Sequence, residues 1–179
     1  MLRRSIYIVL TTVLVGISFG CSKEVDEAPN PVQAPLTGVW EAYLYTFQGN
    51  FSTVFPDDFE FTEFAAISLE LDIFMTFEEN PNTYSLEGPY LMEYSETHEG
   101  DTQQYLLLDV FEDQGSWTID GNIITLMIDG EEVTAGISQL SDTTLILRIN
   151  TSRSEIEDDN FTTTTINKEE SYYFQRISF

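Results

Sequence analysis

The strongest constraint on the fold is a two-residue alternation of apolar and polar side chains over residues 67–78. Every odd position in this stretch is apolar, and every even position except Phe74 is polar. Successive side chains of a β-strand point to opposite faces, so the pattern predicts a strand with one buried face and one acidic, solvated face. Such a strand is stable only beside others, and the rest of the chain supplies them.

Several other segments have the composition and turn signals of antiparallel strands. Within residues 116–128, Asp120-Gly121-Asn122 separates two β-rich runs, a pattern typical of a hairpin. The other predicted strands cover residues 39–47, 83–92, 105–111, 132–140, 143–149 and 172–177. About nine short strands with turns between them predict an all-β, antiparallel barrel of about eight to nine strands, with a β-sandwich as the alternative. Residues 56–64 are predicted to form a short helical turn.

The first residues have the pattern of an export signal. Arg3 and Arg4 precede an apolar run at residues 6–17, which is shorter than the roughly 20 residues of a membrane-spanning helix. We therefore predict that residues 1–20 are a cleaved signal peptide. The acidic, proline-rich residues 21–35 are predicted to be a tether, because such sequences stay extended. Residues 36–179 are predicted to form a single domain.

Charge and composition exclude several functions. The chain has 7 Lys and Arg against 31 Asp and Glu, a formal charge of −24, which would repel nucleic acid. A single Cys cannot form an internal disulfide. The single His98 lies in the polar residues 94–101, which are predicted to be a hairpin tip, where a solvated histidine is more common than a metal ligand. The acidic residues 155–160 lack the ligand spacing of an EF-hand, and calcium binding there is left open.

No nucleophile elbow, phosphate-binding loop or dinucleotide glycine pattern occurs in the sequence. We therefore predict no catalytic residues, no metal site and no cofactor, and we expect that the protein is not an enzyme. A hydrolase that uses paired carboxylates is the least favoured function, because adjacent acids such as Asp57 and Asp58 point to opposite sides of an extended chain.

Residues 17–21, Ile-Ser-Phe-Gly-Cys, resemble a bacterial lipobox, in which Cys21 would be lipidated and become the new N-terminus. Residues 22–27 resemble the acidic export signal of outer-membrane lipoproteins in the Bacteroidota. The resemblance implies an outer-membrane lipoprotein that faces either the periplasm or the cell surface. The expected membrane contact is the lipid on Cys21, since two or three acyl chains hold a protein stably.

Two further segments resemble a known family. Residues 36–40, Leu-Thr-Gly-Val-Trp, resemble the Gly-x-Trp start of lipocalin-like barrels, and residues 115–147 and 172–176 are similar to the small lipocalin-like lipoproteins of the Bacteroidota. The resemblance implies a calycin-type β-barrel in which Trp40 closes one end and Arg176 stacks over it. The alternative is that Trp40 is an ordinary core aromatic and Arg176 a solvated charge.

The resemblance implies a binding module for a small apolar or amphiphilic ligand. The alternative is a non-enzymatic accessory subunit with a filled barrel that contacts an outer-membrane protein. Candidate cavity residues are aromatic, with core packing as the alternative for each: Tyr43, Tyr45, Phe47, Phe77 and Trp117. A cavity of at least ~300 Å³ lined by aromatic side chains would favour the ligand carrier, whereas a filled core would favour the accessory role.

Overall fold

A computed structural model describes residues 34–128, 130–156 and 162–178. The predicted signal peptide, Cys21 and nearly all of the predicted tether lie outside the described residues, as do residues 157–160 of the acidic run. The described residues form one antiparallel sheet of nine strands and contain no helix, which confirms the all-β prediction. It follows that no helix in this part of the chain is long and apolar enough to cross a membrane.

The nine strands are numbered here in the order in which they occur along the sequence. They are β1 (Gly38–Val54), β2 (Phe59–Leu71), β3 (Phe74–Glu78), β4 (Thr83–His98), β5 (Asp101–Asp120), β6 (Ile123–Ile128), β7 (Glu131–Leu140), β8 (Thr144–Ile156) and β9 (Thr163–Arg176). Strand β2 begins within residues 56–64, so the predicted helical turn there is wrong. The residues of β2 instead pair with those of β1, beginning with Phe59 opposite Val54.

The ladders close into a ring. Strand β1 pairs with β9 along most of its length on one side, and with β3 and then β2 on the other. Strand β4 likewise pairs with β3 and β2 on one side and with β5 on the other. Strands β2 and β3 therefore lie end to end in one position, and the nine strands fill eight positions of a barrel-like ring.

Residues 67–78, predicted as one strand, are divided between β2, which ends at Leu71, and β3, which begins at Phe74. The division occurs where the neighbouring strand β4 contains Gly88, with φ of +125°. A Cβ at Gly88 would lie 1.8 Å from the carbonyl oxygen of Asp72. Only glycine permits this approach.

The predicted burial of the odd positions is correct in β3, where Met75 and Phe77 are buried. It is wrong in β2, where Ile67 and Leu69 are exposed. The reason is that the pairing with β4 shifts between Ser68 and Glu70 and changes which side chains face inward.

The two ends of the ring differ. Strand β5 pairs with β6 only between Trp117 and Asp120. Strand β8 pairs with β7 only between Leu145 and Arg148. We call this part the closed end, because all eight positions of the ring are filled there. Beyond the tip of the β6–β7 hairpin only β1, β2, β4, β5, β8 and β9 continue, and we call this part the flared end.

The strands are longer than the sequence predicted, because six of them have 13 residues or more. The extra length lies in the flared end, where β5 and β8 each keep one neighbour among the described residues. Fully buried large side chains lie within the ring, as expected for the inward parity of each strand. They are Trp40, Tyr45, Ile73, Phe77, Met92, Ile124, Leu145, Leu147 and Phe174.

Candidate functional site

The closed end is sealed by Trp40 on β1 and Arg176 on β9, which lie opposite each other in the ladder. The Arg176 guanidinium lies 4.1 Å from the centre of the Trp40 ring, a cation–π distance. It also donates hydrogen bonds to the carbonyl oxygens of Thr37, at 2.5 Å, and Pro35. The Trp40 indole N–H donates to the Leu36 carbonyl at 2.8 Å. This end is therefore closed by two side chains that donate hydrogen bonds to backbone carbonyl oxygens.

A second indole fills the same end of the ring. The ring of Trp117 on β5 packs edge-on against Phe77 at 5.8 Å between centroids. Its N–H donates to the carbonyl oxygens of Glu78 and Thr83, at 3.0 and 3.1 Å. Phe77 and Trp117 are both buried, so the two rings fill the interior at this level.

A cavity of about 250 Å³ lies farther along the ring, on the side where β5 and β8 lose their second neighbours. Most of its wall is apolar, and three polar side chains, Asp113, Thr151 and Glu170, complete it. The apolar and aromatic wall consists of Met75, Tyr84, Leu86, Phe111, Leu126, Ile128, Val133, Leu147, Ile149, Tyr172 and Phe174. An apolar wall with a few polar groups is the usual composition of a small-molecule site.

Glu170 organises the aromatic side of this cavity. Its Oε1 atom accepts hydrogen bonds from the hydroxyls of Tyr45, at 2.6 Å, and Tyr172, at 3.2 Å. The Lys168 ammonium lies 3.0 Å from the same oxygen. Burial, together with the negative charge of Glu170, raises the pKa of both tyrosines far above the usual range. Both hydroxyls therefore stay protonated and act as donors.

Two more tyrosine–carboxylate pairs continue from the cavity into the flared end. The hydroxyl of Tyr90 donates to Asp109 at 3.3 Å, and burial followed by the Asp109 charge raises the pKa of Tyr90 to about 12. The hydroxyl of Tyr94 donates to Glu96 at 2.9 Å, and burial and this hydrogen bond raise its pKa. The concave face thus combines aromatic rings with carboxylates.

Aromatic rings pack closely around the cavity. Tyr45 stacks on Tyr172 at 4.4 Å between centroids and meets Tyr90 edge-on at 5.7 Å. Phe111 stacks on Tyr90 at 4.8 Å and lies 6.1 Å from Tyr172. These rings are held by one another, so the wall formed by Phe111 and Tyr172 is preformed.

The five aromatic residues predicted to line a cavity do not do so together. Tyr43 is 53% exposed and packs on Tyr173 at the outer face, because a register shift between Ala42 and Leu44 changes which side chains face inward. Tyr45 contacts the ring of Tyr172, which does line the cavity.

The other three predicted residues lie at different levels of the ring. Phe77 and Trp117 belong to the filled closed end. Phe47 is buried towards the flared end, where it meets Phe64 and Tyr94 at about 6 Å between centroids. None of these three is among the residues that line the cavity.

Glu170, Asp113 and Phe111 line the cavity but were not predicted from the sequence. A signal for Glu170 exists in strand β9, where it shares its parity with Tyr172 and Phe174, both buried. A carboxylate in the inward parity of a strand is unusual, since buried acids need partners. Asp113 has the same kind of signal in β5, where it shares its parity with Trp117.

A larger groove of about 730 Å³ lies over the flared end between β1, β2, β4, β8 and β9. Amides and hydroxyls dominate its lining, and several already pair with one another. Asn167 donates to Asn50 at 3.2 Å, and Ser152 donates to Asn167 at 2.7 Å. This groove is less suited to an apolar ligand than the smaller cavity.

Within the described ranges, no three His, Cys, Asp or Glu side chains come together as a metal site. The predicted hairpin tip at His98 forms between β4 and β5, and its Nδ1 atom lies 3.0 Å from the hydroxyl of Thr62. The acidic run at residues 155–160 lies largely outside the described part of the chain.

Comparison of the chain with protein-family models, with curated proteins and with solved structures gave no match.

Proposed function

We propose that the protein is a lipid-anchored lipocalin-like barrel of the bacterial outer membrane that binds one small amphiphilic ligand. The observation that carries the ligand-binding part is the cavity of about 250 Å³ with an apolar wall and polar groups at Asp113, Thr151 and Glu170. A ligand with an apolar body and one polar group matches this distribution.

The size of the cavity limits the occupant. Its volume is smaller than the ~300 Å³ lower bound of typical drug-sized sites. It exceeds the roughly 150 Å³ of an apolar protein cavity that binds benzene. The proposed ligand is therefore a one-ring or two-ring molecule, or a short aliphatic one, and not a long lipid.

The cellular part of the proposal depends on the sequence. The basic, apolar and small residues up to Cys21 support export and lipidation, and the acidic residues after Cys21 support transport to the outer membrane. The ring of eight strand positions supports the lipocalin-like part. Removal of residues 1–20, which include Arg3 and Arg4, would leave a formal charge of −26. A protein with this charge would be repelled by anionic headgroups, so the lipid would hold it while the domain stands away from the membrane.

Native mass spectrometry of the lipidated protein, purified gently from the envelope, tests the proposal. We expect a co-purified small molecule, one per chain, that Ile149→Trp removes by filling the cavity. Ile146→Trp is the matched control, since Ile146 lies on the same strand with the opposite parity and is outside the cavity lining. Repeated absence of any bound molecule, together with no binding from a panel of small amphiphiles, would contradict ligand binding.

A second candidate function, an accessory subunit, is favoured by the outer face of β5. Leu106, Leu108 and Val110 are exposed there, and Leu108 is 74% exposed. Among the described residues, their strand has an open edge in the flared end, and exposed aliphatic side chains beside an open edge are typical of protein contacts. In this role, a photo-crosslinker at Leu108 would capture one defined outer-membrane protein in intact cells, whereas a crosslinker at Tyr43, also exposed, would not.

A further inference from the structure

The polar part of the cavity has only one sign of charge. Asp113 and Glu170 line it, and the described residues around it include no Lys, Arg or His. An anionic headgroup in this cavity would lie beside two acids with no basic group in the lining, at a large desolvation cost. A fatty acid or another carboxylate is therefore a poor occupant.

The nearest base is already engaged. The Lys168 ammonium lies 3.0 Å from Glu170 and 4.5 Å from the centre of the Phe47 ring, and Lys168 is absent from the cavity lining. It offsets part of the Glu170 charge. The cavity retains a negative bias, which the acidic protein around it reinforces.

Glu170 also keeps an acceptor available. Its Oε1 atom is near three donors, from Tyr45, Tyr172 and Lys168, while no described residue donates to Oε2. The Glu170 side chain is 15% exposed. A further donor near Oε2 would form a charge-assisted hydrogen bond, which is stronger than one between neutral groups.

The aromatic wall adds a second attraction for positive charge. Phe111 and Tyr172 line the cavity beside Glu170, and their rings are fixed by Tyr45 and Tyr90. A cation beside aromatic faces is attracted by the negative charge density of the rings. Aromatic faces and a carboxylate together are the chemistry that recognises amines.

We infer that the cavity selects small organic cations, in particular a primary ammonium on an apolar one-ring or two-ring body. The ammonium would donate to Glu170, with Asp113 adding to the negative field, while the body lies against Leu86, Leu126 and Leu147. This inference rests on the proposed binding function and specifies the class of ligand.

Three indoles of nearly equal size test it by titration calorimetry on the whole chain: tryptamine, tryptophol and indole-3-acetate. They carry an ammonium, a hydroxyl and a carboxylate on the same body. We expect tryptamine to bind about tenfold or more tighter than tryptophol, and indole-3-acetate to bind most weakly. The preference for tryptamine should diminish as salt is raised from 20 to about 300 mM, because salt screens the attraction.

Two charge-matched variants assign the effect to one side chain. Glu170→Gln should weaken tryptamine binding about tenfold and leave tryptophol binding within about twofold, so unchanged tryptophol binding also shows that the variant is folded. Glu169→Gln removes the same charge from the adjacent residue, which is outside the cavity lining and bonded to Gln48, and should leave both affinities unchanged.

The outcomes separate this inference from the function on which it rests. If tryptophol or indole-3-acetate binds as tightly as tryptamine, the selection of cations is wrong, while binding of small amphiphiles stands. If Glu169→Gln weakens tryptamine as much as Glu170→Gln does, the preference arises from overall charge and the assignment to Glu170 is wrong. If none of the three indoles binds, the cation inference is wrong. The proposed binding function fails with it only if native mass spectrometry also finds no bound molecule.

Discussion

The closed end and the middle of the ring provide different hydrogen-bond acceptors for the N–H and O–H donors of their aromatic and cationic side chains. At the closed end, Trp40, Trp117 and Arg176 donate to backbone carbonyl oxygens. Around the cavity, the hydroxyls of Tyr45 and Tyr172 donate to a side-chain carboxylate instead. Backbone acceptors are fixed by the strands, whereas a carboxylate can also accept from a ligand.

This difference separates two roles within one sheet. The closed end has complete ladders and buried indoles, so its residues serve mainly stability. Among the described residues, the ladders of the cavity region are incomplete on the side of β5 and β8. Asp113 and Glu170 are half-buried there, and removing a carboxylate from water costs stability unless it has partners. A protein that needed only a stable barrel would have little use for these acids.

The largest expected effect comes from emptying the closed end. Trp40→Ala should lower the free energy of unfolding by about 3–5 kcal/mol, because it removes a fully buried indole and leaves a cavity. Tyr94→Ala in the flared end should cost less than about 2 kcal/mol, since Tyr94 is only partly buried. Urea unfolding followed by circular dichroism measures both, and equal losses would contradict the contrast between the two ends.

Arg176 should also contribute to stability, although less. Arg176→Met should lower the free energy of unfolding by about 1–3 kcal/mol, because it removes the contact with Trp40 and the hydrogen bonds to Thr37 and Pro35. Arg176→Lys should lose less of the free energy of unfolding than Arg176→Met does, but it should not reach the wild-type value, since an ammonium lacks the planar fork of the guanidinium. Full restoration by lysine would show that the stacked geometry contributes nothing.

The sequence predicted the all-β class because alternation and turn residues are local signals. Asp120-Gly121-Asn122 and the polar tip at His98 were placed correctly between strands, since turn chemistry acts within a few residues. The register shift between Ala42 and Leu44 was not visible, because it depends on how β1 fits β9 across the ring. That shift moved Tyr43 to the outer face.

The cavity was harder to predict for the same reason. Asp113 and Glu170 are 57 positions apart in the sequence, and they meet only because the ring closes. Their place in the inward parity of β5 and β9 was a usable signal, but parity does not tell which inward positions face empty space. Which inward positions face empty space depends on where the β6–β7 hairpin ends.

The tyrosines around the cavity should make stability depend on alkaline pH. The folded state raises the pKa of Tyr90 from about 10 to about 12, so its proton is held more tightly when the protein is folded. The stabilisation is complete below pH 10 and is lost as the pH rises from about 10 to 12. As the pH is raised from 9 to 12, the urea midpoint should fall less steeply in Tyr90→Phe than in the wild-type protein. Tyr43→Phe, a change at the outer face, should keep the wild-type slope.

The smallest effect is expected on the outer face of the flared end. Leu108→Thr should change the free energy of unfolding by no more than about 0.5 kcal/mol, because the side chain is 74% exposed and threonine suits a strand. Thermal unfolding of the monomeric protein measures this. A loss of 2 kcal/mol or more would show that Leu108 is covered in solution by another surface.

The central claim is that the ring is filled at its closed end and open to a small ligand beside Glu170. Titration of the isotope-labelled whole chain with indole, followed by two-dimensional NMR, tests it most directly. We predict saturable shifts at Phe111, Leu147 and Thr151, which line the cavity, and none at Trp40 or Trp117. Saturable shifts at the two tryptophans, with none at the cavity residues, would contradict the claim.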